Sequence, residues 1–271
     1  MQRVSTPSGD IRYRHAGQGA PVVLLHTLRT QLEYFDRLVA VLDPSRFEVL
    51  AIDLPGHGGS SAPPVDYTAS FFTDAVEQVL DHCDCRGATI VGDSIGGAIG
   101  LTLAARHNPR VSRVVAVNPY DYGRRGGIRR SSRLANLLFT LILFPVVGPV
   151  IARNSTTDVL RRILAGGVHD PGVLPGDLVE AMARAGSLPG HARAFRSLML
   201  QWRTWVDGRA AYRLIDVPVT LVYGEEDWSR PSERTANATA IPAVRRVTLS
   251  EAGHFASLEK PHEIARLIDE A

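Results

Sequence analysis

Three residues far apart in the chain carry side chains that together could activate a hydroxyl for attack on a carbonyl. Ser94 sits in Gly92-Asp93-Ser94-Ile95-Gly96, a Gly-x-Ser-x-Gly pattern. The apolar run from Ala88 to Val91 reads as a buried strand, and a helical run from Ile95 to His107 follows with no room for a loop. A strand that becomes a helix so abruptly forces its turn residue into a strained backbone conformation. A Cβ two residues before or after would clash, which accounts for both glycines. The apex hydroxyl then lies beside a helix N-terminus, whose unpaired N–H groups and partial positive charge suit a developing oxyanion. Such attack also needs a base to accept the proton and an anion to hold the tautomer of that base. His254, in Glu251-Ala252-Gly253-His254-Phe255, follows a strand ending at Leu249, and Asp227 lies four residues past a strand ending at Tyr223. Both stand just beyond strand C-termini, where an open parallel sheet gathers its functional groups. Glu225, Glu226 and Asp121 are alternative acids.

The elements that must position these residues follow from hydrophobic periodicity. Asp10–His15, after the turn Pro7-Ser8-Gly9, predicts an N-terminal hairpin. Pro21–His26, Phe47–Ile52, Val111–Val117, Val217–Tyr223 and Val244–Leu249 read as further strands, several of them continuously apolar and hence buried on both faces. Helical spacing covers Leu32–Leu42, Thr68–His82, a segment near Glu233, and Ala256–Asp269. This alternation predicts an α/β fold with a mostly parallel sheet of eight strands and helices on both faces. It stops near Asn118. Residues 121–212 carry no β run and read as helices broken by Pro145, Pro149, Pro171, Pro175 and Pro189. The expected organisation is a discontinuous core, 1–120 and 213–271, with a helical cap, 121–212, inserted after the sixth strand.

Composition narrows the function classes. With 45% hydrophobic and 21% charged residues, the chain has the profile of a soluble globule with a substantial core. A formal net charge of +2 is too small to imply nucleic-acid binding. Cys83 and Cys85 stand one residue apart with no His cluster, so neither a zinc site nor an unstrained disulfide is expected, and a reducing compartment fits. Met1–Pro7 has no apolar core of a signal peptide, and Leu134–Ile151, interrupted by Asn136, Pro145, Gly148 and Pro149, is too short and broken to span a bilayer. A cytoplasmic enzyme without stable membrane insertion, monomeric or homodimeric, is the expectation.

The chain resembles the α/β-hydrolase superfamily, and within it the capped, cofactor-free, mostly bacterial members. The resemblance rests on Leu24-Leu25-His26, on Asp53-Leu54-Pro55-Gly56-His57-Gly58-Gly59-Ser60, on the Ser94 turn, on Gly224-Glu225-Glu226-Asp227 and on Gly253-His254-Phe255. It implies Ser94 as nucleophile, His254 as base, Asp227 as orienting acid, and an oxyanion hole from the backbone N–H of Ile95 and of Thr27 or Leu28, with no metal or organic cofactor. Many relatives have Gly where this chain has Thr27. Plant hydroxynitrile lyases resemble it in having Thr there, but they carry Lys directly after the catalytic His, where this chain has Phe255. The readings carried forward are a serine hydrolase cleaving an ester, thioester or activated C–C bond, a lyase or cofactor-free haloperoxidase or perhydrolase on the same triad, and a ligand-binding protein on a hydrolase scaffold.

Other polar residues read as structural or peripheral. Asp53, His57 and His26 suit loop-backbone hydrogen bonds. Asp93 is expected to face solvent or the cleft. Arg29 is a candidate contact for an anionic substrate group. Arg124, Arg125, Arg129, Arg130 and Arg133, with no acidic residue among them, suggest a positive rim. Leu138, Phe139 and Trp202 are candidate substrate contacts, and apolar neighbours such as Leu137, Phe144 and Trp205 would line the pocket or hold the cap. The substrate expected is small to medium and apolar.

Overall fold

The β-branched and aliphatic runs form the sheet that their patterning requires. The computed structural model describes residues 1–123, 126–153 and 156–270. Its eight strands are β1 (Gln2–Thr6), β2 (Gly9–Gly17), β3 (Ala20–Leu25), β4 (Phe47–Ile52), β5 (Ala88–Asp93), β6 (Val111–Val117), β7 (Val219–Gly224) and β8 (Arg245–Leu249), in the order β1-β2-β4-β3-β5-β6-β7-β8. The hairpin β1–β2 and the β2–β4 pair are antiparallel, and every other pairing is parallel.

Register explains why chemistry gathers at one edge. Leu25 lies opposite Gly92, Asp93 opposite Val117, and Val117 opposite Val222. Neighbouring strands run about 4.8 Å apart. His26, Ser94, Asn118 and the turn after Gly224 therefore leave the sheet side by side.

Helices cover both faces. They are α1 (Asp36–Val41), α2 (Ala69–His82), α3 (Ile95–Ala105), α10 (Pro231–Ala240), α11 (Ala256–Glu259) and α12 (Pro261–Asp269) around the sheet, with α4 (Arg133–Leu141), α5 (Gly148–Arg153), α6 (Thr157–Ala165), α7 (Gly176–Gly186), α8 (His191–Leu200) and α9 (Trp202–Gly208) between β6 and β7. Two helical readings need correction. Leu32–Phe35 is a 3-10 turn preceding α1, and the last helix breaks at Lys260, because Pro261 lacks the N–H that a continuous helix would use and instead occupies the first turn of α12. In the insertion, four of the five prolines punctuate as expected, whereas Pro149 lies within the first turn of α5. Pro171 opens a 3-10 turn, Pro175 is the N-cap of α7, and Pro145 and Pro189 lie between helices. Each surviving helix buries one stripe, as α6 does with Leu160, Ile163 and Leu164.

The insertion is pinned to the α2 region. Ser197 Oγ accepts from the Tyr67 N–H at 3.0 Å, Thr204 Oγ1 accepts from the Ala69 N–H at 3.0 Å, and Trp205 packs on Phe72 and Tyr120. Among the described residues, no helix is long and apolar enough to cross a membrane.

Asp53 organises the turn after β4. Its carboxylate accepts from the Leu32 N–H at 2.7 Å, from the Gly59 N–H at 2.7 Å, and from Arg12 Nε, while Glu33 pairs with the rest of that guanidinium. Asp53→Ala leaves two amides and the Arg12 Nε–H without their acceptor, and it should cost about 3–5 kcal/mol of unfolding free energy, read by urea denaturation. A loss under about 1 kcal/mol would show that the turn holds without it.

Candidate active site

Ser94 occupies the strained turn its spacing predicts, with φ 57° and ψ −113°. Its N–H donates to Val117 O at 2.9 Å, and its carbonyl accepts from Ala98 N at 3.1 Å and Tyr120 N at 2.9 Å. The two flanking glycines are both required, for different reasons. A Cβ on Gly92 would stand 2.2 Å from the Gly96 carbonyl carbon, whereas one on Gly96 would meet Leu25 O of β3 at 2.0 Å. The second glycine therefore admits the neighbouring strand rather than the first glycine.

Asp227 and His254 meet. His254 Nδ1 lies 2.5 Å from Asp227 Oδ1. A carboxylate only accepts, so Nδ1 carries the proton, and whenever the ring is neutral its lone pair is on Nε2. Asp227 Oδ2 accepts from Ser229 N at 2.8 Å and Tyr122 Oη at 3.2 Å. Burial alone would push this carboxyl up, but the imidazole charge and hydrogen bond, helped by Ser229, outweigh it and hold Asp227 below the ordinary carboxylate range. The other acids point elsewhere. Asp121 accepts from Asn237 Nδ2 at 3.1 Å and pairs with Arg209 at 3.3 Å, and Glu226 bonds exposed His169 at 2.6 Å.

Asn118 and Trp228 hold this pair, and neither was anticipated. Asn118 Oδ1 accepts from Gly224 N, and its Nδ2 donates to Gly253 O and His254 O, all at 3.0 Å, so one side chain ties the end of β7 to the histidine loop. Trp228 stacks on His254 with centroids 4.1 Å apart. A polar residue directly after β6 was the available signal for Asn118, and adjacency to Asp227 was the signal for Trp228.

Ser94 and His254 open into one mostly apolar cavity of about 190 Å³, whose wall also includes Thr27, Leu28, Arg29, Leu138 and Phe139. The Ile95 side chain is buried, and its amide stands at the first position of α3, where helix N–H groups have no partner within the helix. Trp202 is not among the lining residues. It is half-buried on α9 beside Arg203, because the indole facing the core is Trp205. Leu137 and Phe144 are exposed. Of the expected basic rim, Arg124 and Arg125 lie outside the described residues. Arg130 is paired bidentately with Glu233 at 2.7 and 2.8 Å, an acid that sequence proximity did not reveal. Among the described residues, no group of His, Cys, Asp and Glu could hold a metal ion.

A sequence profile described as the alpha/beta hydrolase fold matches residues 20–261. The chain belongs to that family. It is a hydrolase fold with hydrolase relatives. A 2-hydroxymuconate semialdehyde hydrolase of a Pseudomonas species is 27% identical, over 93% of this chain and 87% of its own length. A haloalkane dehalogenase of Agrobacterium fabrum is 26% identical, over 93% of this chain and 85% of its own. The crystal structure of the enol-lactonase from Burkholderia xenovorans superposes with a TM-score of 0.78 at 25% identity, covering 99% of this chain and 98% of that one.

Asp93, next to the serine, faces neither solvent nor cleft. It is fully buried, accepting from Ser257 Oγ at 2.5 Å and Tyr34 Oη at 2.7 Å, and so fastens the Ser94 turn to α11 and the Leu32 turn. Burial, only partly offset by those donors, raises its pKa to about 6. The folded state therefore binds this proton more tightly than the unfolded chain, and stability falls as pH rises from about 4 through 6. Asp93→Asn removes that fall. The difference in unfolding free energy, variant minus wild type, should grow by roughly 3 kcal/mol between pH 4 and pH 7. Parallel pH profiles of the two proteins would contradict the assignment.

Proposed function

We propose that this hydrolase is a serine enzyme acting through Ser94, His254 and Asp227 by way of an acyl-enzyme. His254 Nε2 takes the Ser94 proton as Oγ attacks the carbonyl carbon of an ester, thioester or activated ketone. Asp227 holds the Nδ1–H tautomer and offsets the imidazolium charge as it forms. The oxyanion is met by the Ile95 N–H and by the N–H of Thr27 or Leu28, the contribution usually largest in such sites. The leaving group departs with the proton from His254. Water, deprotonated by the same imidazole, then releases the acyl group and restores the serine.

The observation that carries this reading is the buried His254–Asp227 hydrogen bond beside a cavity shared with Ser94. Relatives named as a semialdehyde hydrolase and an enol-lactonase favour an electrophile at a carbonyl. The α4–α9 insertion acts as a cap, and the predominantly apolar wall excludes water and selects a small to medium apolar substrate. Thr27, buried where a glycine would let the backbone approach more freely, favours one second reading, a lyase using the same three side chains.

A fluorophosphonate probe and short aryl esters test the proposal. Ser94→Ala should abolish labelling and turnover, and His254→Ala should abolish turnover, with folding intact. Asp227→Asn should lose roughly 10³–10⁴-fold in kcat, whereas Asp121→Asn should lose less than about tenfold. Labelling of Ser94 without ester turnover would favour the lyase reading. Equal losses in the two aspartate variants would overturn the acid assignment.

A further inference from the structure

Arg29 is a half-buried cation that no acid neutralises among the described residues; its Nη2 lies beside Gly186 at the C-terminus of α7, whose carbonyls offer only partial negative charge. It has a left-handed backbone, φ 63°, directly after the Thr27-Leu28 turn, and its guanidinium lies 4.5 Å over the Phe195 ring. Arg12, Arg130 and Arg209 each have a carboxylate partner. Among the described residues no acid pairs with Arg29, and its Nη2 is buried without a hydrogen-bond partner. Burial pulls its pKa down to about 10, so it remains a cation at neutral pH. An isolated charge in such a place costs several kcal/mol unless a counter-charge arrives.

The side of Arg29 away from the catalytic cavity does not supply that charge. A second cavity of about 20 Å³ lies there, lined by Arg29, His57 and His191 among others. His57 Nδ1 lies 3.0 Å from Pro55 O, which can only accept, and His191 lies against the carbonyls of Pro189 and Gly58. Burial lowers the pKa of both rings, and neither supplies a negative charge. The space is large enough for about one water and supplies no negative charge.

The other side of Arg29 is the wall of the cavity that contains Ser94 and His254. That wall bears no acidic residue, and Leu138, Phe139, Leu160 and Leu164 make much of the remainder apolar. We propose that Arg29 recognises a carboxylate on the substrate, so that the enzyme acts on apolar acids whose scissile carbonyl is reached by Ser94. A guanidinium suits this role because its paired N–H groups match the two carboxylate oxygens. The inference deepens the serine-hydrolase reading and rests on it for the identity of the scissile group.

Two measurements separate the failure of each. Calorimetry on the wild-type protein compares hexanoate with hexanamide, the same chain without the charge. Hexanoate should bind at least about tenfold more tightly, as expected for a charge-assisted pair, and Arg29→Met should erase the difference while Arg29→Lys keeps part of it. In kinetics, mono-(4-nitrophenyl) adipate should exceed 4-nitrophenyl hexanoate in kcat/KM by a similar factor, expressed mainly in KM. If Arg29→Met fails to fold, the two wild-type comparisons still decide. Equal binding of hexanoate and hexanamide overturns the inference, and equal turnover of the two esters overturns it while leaving the hydrolase reading intact. Chloride displacing hexanoate at comparable concentration would show a site for free inorganic anions and overturn the substrate assignment. Hexanoate binding that depends on Arg29, with no labelling or turnover at Ser94, would sustain the carboxylate site and sink the hydrolase reading.

Discussion

The close approach of β3, β5 and α3 at Gly92 and Gly96 is the constraint from which the site follows. With no Cβ at either position, the backbone of the first turn of α3 lies against the end of β5 and the Leu25 carbonyl. A serine with φ 57° costs on the order of 1–3 kcal/mol, so it persists only where its surroundings over-determine it. Here they do. The Ser94 N–H is bound to β6, its carbonyl is bound by α3 and Tyr120, and Asp93 beside it is bound by Ser257 and Tyr34. The hydroxyl is thus aimed by backbone geometry. The side-chain packing of the cavity has no need to hold it.

Four buried aspartates, Asp53, Asp93, Asp121 and Asp227, show how the same side chain takes different roles. Asp53 is matched by Arg12, whose charge does not change in the working pH range, and serves as a fixed strut, whereas Asp121 pairs with Arg209 yet burial still raises its pKa to about 6. Asp93 is met only by hydroxyl and amide donors, and its pKa of about 6 reflects burial that those neutral donors only partly offset. Asp227 alone of the four is hydrogen-bonded to a histidine, and that histidine also lines the cavity. A carboxylate held below its ordinary range can stabilise a transient imidazolium without itself taking the proton. Partner chemistry, more than burial, separates the structural acids from the one at the cavity.

Local rules made much of this legible in the sequence. Continuous apolar runs marked the central strands, and glycine spacing marked the turn at Ser94. The principle that functional groups follow strand C-termini pointed to Asp227 and His254. What stayed hidden depends on distances between elements. Arg130 reads as one of several unopposed cations until the fold brings Glu233 to it, 103 residues later. Trp202 and Trp205 are both apolar candidates, and only helix phase turns Trp205 toward Phe72 and leaves Trp202 on the flank. Asn118 looks like an ordinary loop residue, since the carbonyls of Gly253 and His254 are more than 130 positions away. The isolation of Arg29 is a statement about every acid in the chain, which no local pattern can make.

The insertion contributes more than a wall. Gly166 and Gly167, just after α6, bind the histidine loop. Gly167 O accepts from His254 N at 2.7 Å, and Gly166 O accepts from Trp228 Nε1 at 2.8 Å. A Cβ on Gly167 would stand 2.6 Å from the rings of both Phe255 and Trp228, so this turn is seated against the aromatic pair that flanks the imidazole. The end of α6 therefore fixes both the cavity lining, through Leu160 and Leu164, and the position of His254. Helices α4 and α5 present two faces: Leu134, Leu137 and Val150 are exposed, while Leu138, Phe139 and Ile151 line the cavity that His254 shares, so the insertion closes that cavity with apolar side chains on helices whose other face meets solvent.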